Sequence, residues 1–382
     1  MNREKQIELL EASLSLAHEK RRPIDGEETL VPVESYSDPE RFERELEHVF
    51  RTSFNVVGVG AQVAAPGDFF TTELCGSPVL IARGDDGLLR AFLNVCRHRG
   101  ATVELSSAGN RSRFVCPYHA WTYNNDGSLH RVRHAEGFPS LCVEQHGLVA
   151  LPCAELAGLV FVCPSPGATP EQLPAPLVSE LEALVGPQPT IYASTSRVWR
   201  ANWKLIVEGG IESYHFKVAH KDTIAAFFGD TNSTWERIGD HLRSVLPKSS
   251  IVELSEVPRD AWDIREHSHL VYTLHPNAMI LMQRSHFDLI VMRPLSVDST
   301  EIRVLTVGAA PETADLSPES QAFFAKNHAF SVRTLDEDFA IAEQIQRGLN
   351  SGANTHFRFA RFEGALSDWR KRLDVLLALG ES

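Results

Sequence analysis

Two cysteine and histidine pairs carry the types and spacing of a metal site: Cys96 and His98, then, after seventeen intervening residues, Cys116 and His119. Thiolate sulfur and imidazole nitrogen are ligands that soft and borderline metals select, and so short a Cys-to-His step lets one loop offer both. A structural zinc site of two Cys and two His is the competing reading. Zinc sites of that composition usually pair Cys with Cys and His with His across a helix, whereas each loop here supplies one of each. A two-iron cluster accounts for the split, with the cysteines on one iron and the histidines on the other, and the neutral imidazoles raise its reduction potential.

A second concentration lies at 202–220, which reads NWKLIVEGGIESYHFKVAH. His215, His220, Glu208 and Glu212 fall within thirteen residues of a predicted helix at about 203–219. Two His and one carboxylate on one face of a metal, with open positions for O2, are what a non-heme iron oxygenase requires. The plain alternative is a solvated helix on which Lys204 pairs with Glu208. A regular helix turns about 140° between His215 and His220 and would aim them apart, so sharing a metal requires the helix to distort or end between them. A long C-terminal helix expected at about 318–349 carries three consecutive acids, Asp336, Glu337 and Asp338, of which normally one can face a buried metal. Counting by three and four from Asp338 meets Thr334, Leu335, Ile341, Ala342 and Ile345, a mainly apolar stripe, whereas Asp336 shares its face with Arg333, Glu343 and Arg347. A lone acid on an apolar stripe calls for a counter-charge such as Fe2+.

These residues need elements to position them. The spacing of Ile7, Leu10, Leu14 and Ala17 predicts an amphipathic helix, and Asp38 before Pro39 predicts the cap of a second. From about 55 the chain reads as short strands, at 54–59, 79–82, 92–95 and 159–163, broken by Gly, Asp and Asn turns. Prolines then crowd 164–176, as expected of an exposed connection. Strands follow at about 191–199, 269–273, 279–292 and 301–307. The expected organisation is N-terminal helices packed on the catalytic domain (1–54), a small β domain (55–164), a Pro-rich linker (165–190) and an α+β domain (191–382) in which a curved antiparallel sheet grips the long helix.

The segments around Cys96 and Cys116, CRHRG and CPYHAW, resemble the two loops of a Rieske ferredoxin domain, and 202–220 resembles the mononuclear iron segment of ring-hydroxylating oxygenase alpha subunits. The resemblance implies a [2Fe-2S] cluster on Cys96, His98, Cys116 and His119, and a mononuclear Fe(II) on His215, His220 and Asp338. It makes Asn202 a polar residue of the active site. Glu212 takes an acidic position where most members have Asp, bridging toward the cluster, with Glu208 the weaker candidate. It further implies a small organic substrate, most often aromatic, O2, an electron-donating reductase or ferredoxin, and a head-to-tail homotrimer. A monooxygenase of a small quaternary amine is the alternative, because Glu at the bridging position resembles members that oxidise such cations. A Rieske electron carrier would not need His215, His220 and Asp338. Pocket residues are expected from Phe216, Ile224, Phe227, Phe228, Leu281, Phe287 and Phe330. Of the other histidines, His267, His269 and His275 read as sheet surface or pocket wall, and His286 as a candidate for the pocket.

Bulk properties set the remaining bounds. With 382 residues, 43% of them hydrophobic, the chain has material for one large or two ordinary cores. Its 37 basic and 50 acidic residues give a net charge of −13 without a basic stripe, which argues against nucleic acid. No apolar run reaches the roughly 18 residues of a membrane span and the first twenty residues mix charges throughout, so a cytoplasmic protein without membrane contact is expected. Its cysteines are expected to be reduced, with Cys75, Cys142, Cys153 and Cys163 buried and inert.

Overall fold

Short polar side chains start several helices in the structure, a computed structural model that describes residues 1–24, 26–186, 189–308 and 317–380. Asp38 accepts from the Glu40 amide, Asn202 from Lys204 and Ser317 from Ser320, each ahead of a helix, and a cap of this kind contributes about 1 kcal/mol. The chain divides into two units, one formed by Val49–Gln172 and the other by Met1–His48 with Leu173–Ser382. No helix among the described residues is long and apolar enough to cross a membrane.

The smaller unit is built of short antiparallel strands. One sheet has five strands and two have three. Ser77–Arg83 lies inside the five-stranded sheet, with Val79, Leu80, Ile81 and Ala82 all buried, so both of its faces are covered. Leu89–Leu93 ends before the expected 92–95, because Asn94 exchanges hydrogen bonds with the backbone of Glu104 and turns the chain into the first Cys-His loop. The second loop is the turn between Arg113–Val115 and Thr122–Asn124. All six cysteines are free, but of the four expected to be buried only Cys163 is; Cys75, Cys142 and Cys153 are half-buried.

The larger unit holds a seven-stranded antiparallel sheet in the order Thr190–Trp199, Ser299–Gly308, His286–Ser296, Ala278–Met282, Ser268–Leu274, His241–Pro247, Thr234–Ile238. Pro318–Leu349 forms the long helix. Thr234–Ile238 and His241–Pro247 pair as a hairpin that the sequence reading did not anticipate, and the latter strand is buried throughout, so it shows no alternation. Part of the expected exposed connection is instead the helix Ala175–Val185, whose Leu177, Leu181, Leu184 and Val185 are buried and whose Glu180 bonds Arg243 and Tyr272 of the sheet. Residues 187–188 of that stretch lie outside the described residues. The first helix, Arg3–His18, buries Leu9, Leu10, Ser13 and Leu16, a face rotated from the one expected.

Two candidate metal centres

The two Cys-His loops are near copies of each other. The Cys96 amide donates to Ala101 and the Gly100 amide returns to Cys96 O; likewise Cys116 donates to Trp121 and Ala120 returns to Cys116 O. The fourth residue after each cysteine is left-handed, Gly100 at φ +78° and Ala120 at φ +58°, so the second loop accepts a strain that glycine removes from the first. The two thiols are buried side by side, whereas the imidazoles are half-buried with their Nδ1 atoms 3.1 Å apart. Sulfur at the closed end and nitrogen at the open end suit a cluster whose two irons have different ligands. Tyr123, which the sequence reading passed over, places its hydroxyl 3.4 Å from Cys96 Sγ and accepts from the Arg97 amide at 2.9 Å. Trp121 stacks on His98 with ring centroids 5.1 Å apart.

In the larger unit the segment 203–219 breaks earlier than expected. One helix runs Trp203–Ile211, Glu212 is extended, and a single turn, Phe216–Ala219, follows. His215 and His220 cap the two ends of that turn, so the five-residue step no longer forces their rings apart. Their Nε2 atoms are 3.1 Å apart, and Asp338 Oδ1 lies 3.2 Å from that of His215 and 2.9 Å from that of His220. Three donors of two kinds converging on one point fit a single divalent cation with open positions.

The opposite ring nitrogens are held as well. Glu212 Oε1 is hydrogen-bonded to His215 Nδ1, and Glu337 Oε2 lies 2.8 Å from His220 Nδ1 while accepting from Thr223 Oγ1 at 2.6 Å. A carboxylate on Nδ1 fixes the tautomer and leaves Nε2 for a metal. Burial disfavours charge on His215, but Asp338 and Glu212 outweigh it and raise its pKa to about 10. Burial likewise opposes charge on Asp338, and the two histidines outweigh it and lower its pKa.

An apolar cavity of about 410 Å³ ends at this group. His220 and Asp338 border it, with Phe216, Phe227, Phe228 and Phe330 along its walls and Ile224 and Leu281 beside them. Phe287, expected in the pocket, is fully buried in the core instead. His269 and His286 also border the cavity, whereas His267 and His275 do not.

Two sequence expectations need correction. Asn202 caps its helix, and its amide donates to Val297 O at 2.7 Å, so it lines no part of the cavity. Lys204, which the solvated-helix alternative paired with Glu208, pairs instead with buried Glu45, against that alternative. Glu208 is bonded by Tyr36 at 2.8 Å and stands 3.8 Å from Arg370, and burial raises its pKa to about 7. Glu337, set aside because neighbouring helical acids diverge, reaches His220 from behind. The only signal for it was its place beside Asp338.

Comparison with known proteins joins the two centres. The family described as "Ring hydroxylating alpha subunit (catalytic domain)" matches residues 190–378, and the Rieske [2Fe-2S] domain matches residues 53–147. Toluate 1,2-dioxygenase subunit alpha of Pseudomonas putida is 27% identical over 360 residues, 82% of this chain and 79% of that protein. The carnitine monooxygenase oxygenase subunit of Escherichia coli K12 is 36% identical over 194 residues, 50% of this chain and 52% of that protein, so this match spans about half of each. A crystal structure of the quaternary ammonium Rieske monooxygenase CntA with an inhibitor superposes with a TM-score of 0.76 at 26% identity, over 91% of this chain and 96% of that one. A cluster-type pair of loops in one unit and a two-His, one-carboxylate convergence in the other thus lie in the two segments that those families match, and the chain belongs to the Rieske non-heme iron oxygenases, as an alpha subunit with a [2Fe-2S] domain and a mononuclear iron catalytic domain.

Proposed function

We propose that the protein hydroxylates, dihydroxylates or oxidatively demethylates a small organic ring compound, using O2 and electrons from NAD(P)H passed on by a reductase or ferredoxin. The observation that carries this reading is the convergence of His215, His220 and Asp338 at one end of a cavity walled by four phenylalanines. In this reading Cys96, His98, Cys116 and His119 hold the cluster, and His215, His220 and Asp338 hold the iron. When bound, the cluster supplies electrons and the iron the place at which O2 is activated. Glu212 and Glu337 orient the two imidazoles from behind. The phenyl faces hold the substrate and keep bulk water from the reacting atoms.

We further propose a head-to-tail homotrimer in which Glu212 also reaches His119 of the partner subunit. A second cleft supports it, bordered by Glu212, His215, Asp338, Ile341 and Ile345, with Tyr214 exposed nearby. A cytoplasmic location suits a donor fed by NAD(P)H.

A quaternary amine is the second reading, favoured by the carnitine and glycine betaine monooxygenases among the relatives. Phenyl faces attract such a cation. Yet Asp338, assigned to the metal, is the only acid lining the cavity among the described residues, and this favours the ring compound. The test is a panel of aromatic acids, aryl methyl ethers and quaternary amines, scored for coupled O2 and NADH consumption with product identification. The protein should carry about three irons and two labile sulfides per chain. Zinc without sulfide would end the proposal.

A further inference from the structure

A run of hydrogen bonds crosses three strands of the larger unit and has no task in the reading above. Thr195, half-buried on the edge strand between exposed Ser194 and Ser196, lies with its Oγ1 2.7 Å from His328 Nε2. His328 Nδ1 is 2.9 Å from Thr306 Oγ1. Thr306 donates to Asp288 Oδ1, directly across the strand pair, and Ser331 donates to Asp288 Oδ2 at 2.7 Å. Thr306 and Asp288 are 0% exposed and His328 8%, so bulk water does not reach the interior of this run.

Each member can both donate and accept a proton, and the donor directions follow from Asp288. As a carboxylate it accepts from Thr306 and Ser331. Thr306 must then accept from His328 Nδ1–H, which leaves Nε2 to accept from the Thr195 hydroxyl. Every hydrogen from Thr195 onward therefore points toward Asp288. Burial pushes the Asp288 carboxyl up to about 6, a value at which it can take and release a proton near neutrality. A network serving only the fold gains little from a buried acid, since apolar side chains of similar volume are often as stabilising.

The run opens into the cavity at Ser331. Thr334 and Asp338 follow on the same stripe of the long helix, three and seven residues on, and both border the cavity. About 10 Å of helix axis separates Ser331 from Asp338. Water can span that gap, since Thr334 and Asp338 offer it polar partners along that wall and each molecule occupies only about 30 Å³ of liquid.

We propose that Thr195, His328, Thr306, Asp288 and Ser331 form a proton relay that supplies the cavity with the protons consumed in O2 reduction. This rests on the oxygenase reading above. Reduction of one O2 with substrate takes two electrons, from the reductase, and two protons, and yields either a hydroxylated product with water or a diol. In one pass the protonated Asp288 gives its proton to Ser331 Oγ as Ser331 releases its own to cavity water. The carboxylate then takes the Thr306 proton, Thr306 takes that on His328 Nδ1, and His328 Nε2 takes that of Thr195. Solvent reprotonates Thr195. One proton has moved inward and the His328 proton has passed from Nδ1 to Nε2, so the run resets by tautomer exchange at His328 and reorientation of the hydroxyls before the next pass.

The test uses the enzyme with cluster and iron in place and the variants Thr195→Val, Ser331→Ala and Asp288→Asn. Infrared spectra of the resting, unreduced enzyme report Asp288 without turnover, its carboxylic acid band being assigned by loss in Asp288→Asn. On transfer to D2O that band should shift at once in wild type and at least about 10-fold more slowly in Thr195→Val, at unchanged melting temperature. In a single turnover after pre-reduction, Ser331→Ala and Asp288→Asn should form product at least about 10-fold more slowly, with unchanged substrate affinity and a larger solvent isotope effect. Wild-type deuteration in Thr195→Val, or wild-type turnover and isotope effect in Ser331→Ala, overturns the relay. If Asp288→Asn does not fold, these two variants keep the carboxylate and decide the matter, with the band then assigned by its titration in wild type. Slowed deuteration in Thr195→Val, together with a wild-type enzyme that takes up no O2 with any substrate, overturns the oxygenase reading instead, and with it the destination of the protons.

Discussion

Cys96 and His119 are 23 residues apart, and each cluster loop closes on itself through backbone bonds four and five residues long. His215 and Asp338 are 123 residues apart, and nothing local brings them together. The first centre is two tight turns held by the adjoining strands, with a tyrosine and a stacked indole as support. The second depends on a broken helix and a 32-residue helix being packed in the right rotation, with carboxylates behind each imidazole. Similar ligand chemistry is thus built by local closure in one unit and by long-range packing in the other. Damage to one centre should therefore leave the other standing, and the second should be the easier to unsettle.

The most severe test of that contrast is Asp338→Ala. It should lower iron from about three to about two per chain, keep the visible spectrum of the cluster and abolish turnover. Loss of both signals together would break the comparison. Glu212→Gln keeps size and hydrogen-bonding atoms but removes the charge behind His215. Iron content should hold while substrate-dependent reoxidation of the reduced cluster slows by at least about 10-fold, as stopped-flow absorbance would show. Near-normal rates would remove Glu212 from the path between metals. Glu337→Gln weakens only the support of His220, so its cost should appear as a metal affinity lower by about 10-fold, recovered by added Fe(II). A defect that excess iron does not repair would point to a different role.

The smallest expected effect separates the units by pH. Burial lowers the pKa of His241 and His286 to about 4 and of His269 to about 3, so these larger-unit histidines stay neutral when folded. Unfolded histidine titrates near 6.5, so below that pH the unfolded chain binds more protons and stability falls with pH. Hydrogen exchange should show the larger unit opening first on acidification, with a melting temperature about 5 °C lower at pH 5 than at pH 7. Earlier opening of the cluster unit would reverse the ranking.

The same contrast explains which features could be read along the chain. CRHRG and CPYHAW are contiguous, and the chemistry of their side chains implies the cluster before any fold is known. The apolar stripe of the long helix singled out Asp338 because a buried acid among Ile and Leu demands a partner. Asn202 misled, since a cap residue and a site residue look alike until its bonds to Lys204 and Val297 are seen. Helical spacing placed the break between His215 and His220, whereas the helix already ends at Ile211, just past Gly209 and Gly210, whose weak helix preference favours an early end.

By itself, then, the order of residues determined the metal chemistry and the identity of His215, His220 and Asp338 as candidates, because these depend on side-chain type and short-range period. Only the tertiary structure decided that Glu337 stands behind His220, that Phe287 belongs to the core, and that Thr195, His328, Thr306, Asp288 and Ser331 join into one run. Those contacts unite strands and helices distant along the chain, and the rotation of each element about its own axis, which selects the side chains that meet, is set by packing the whole sheet against the long helix.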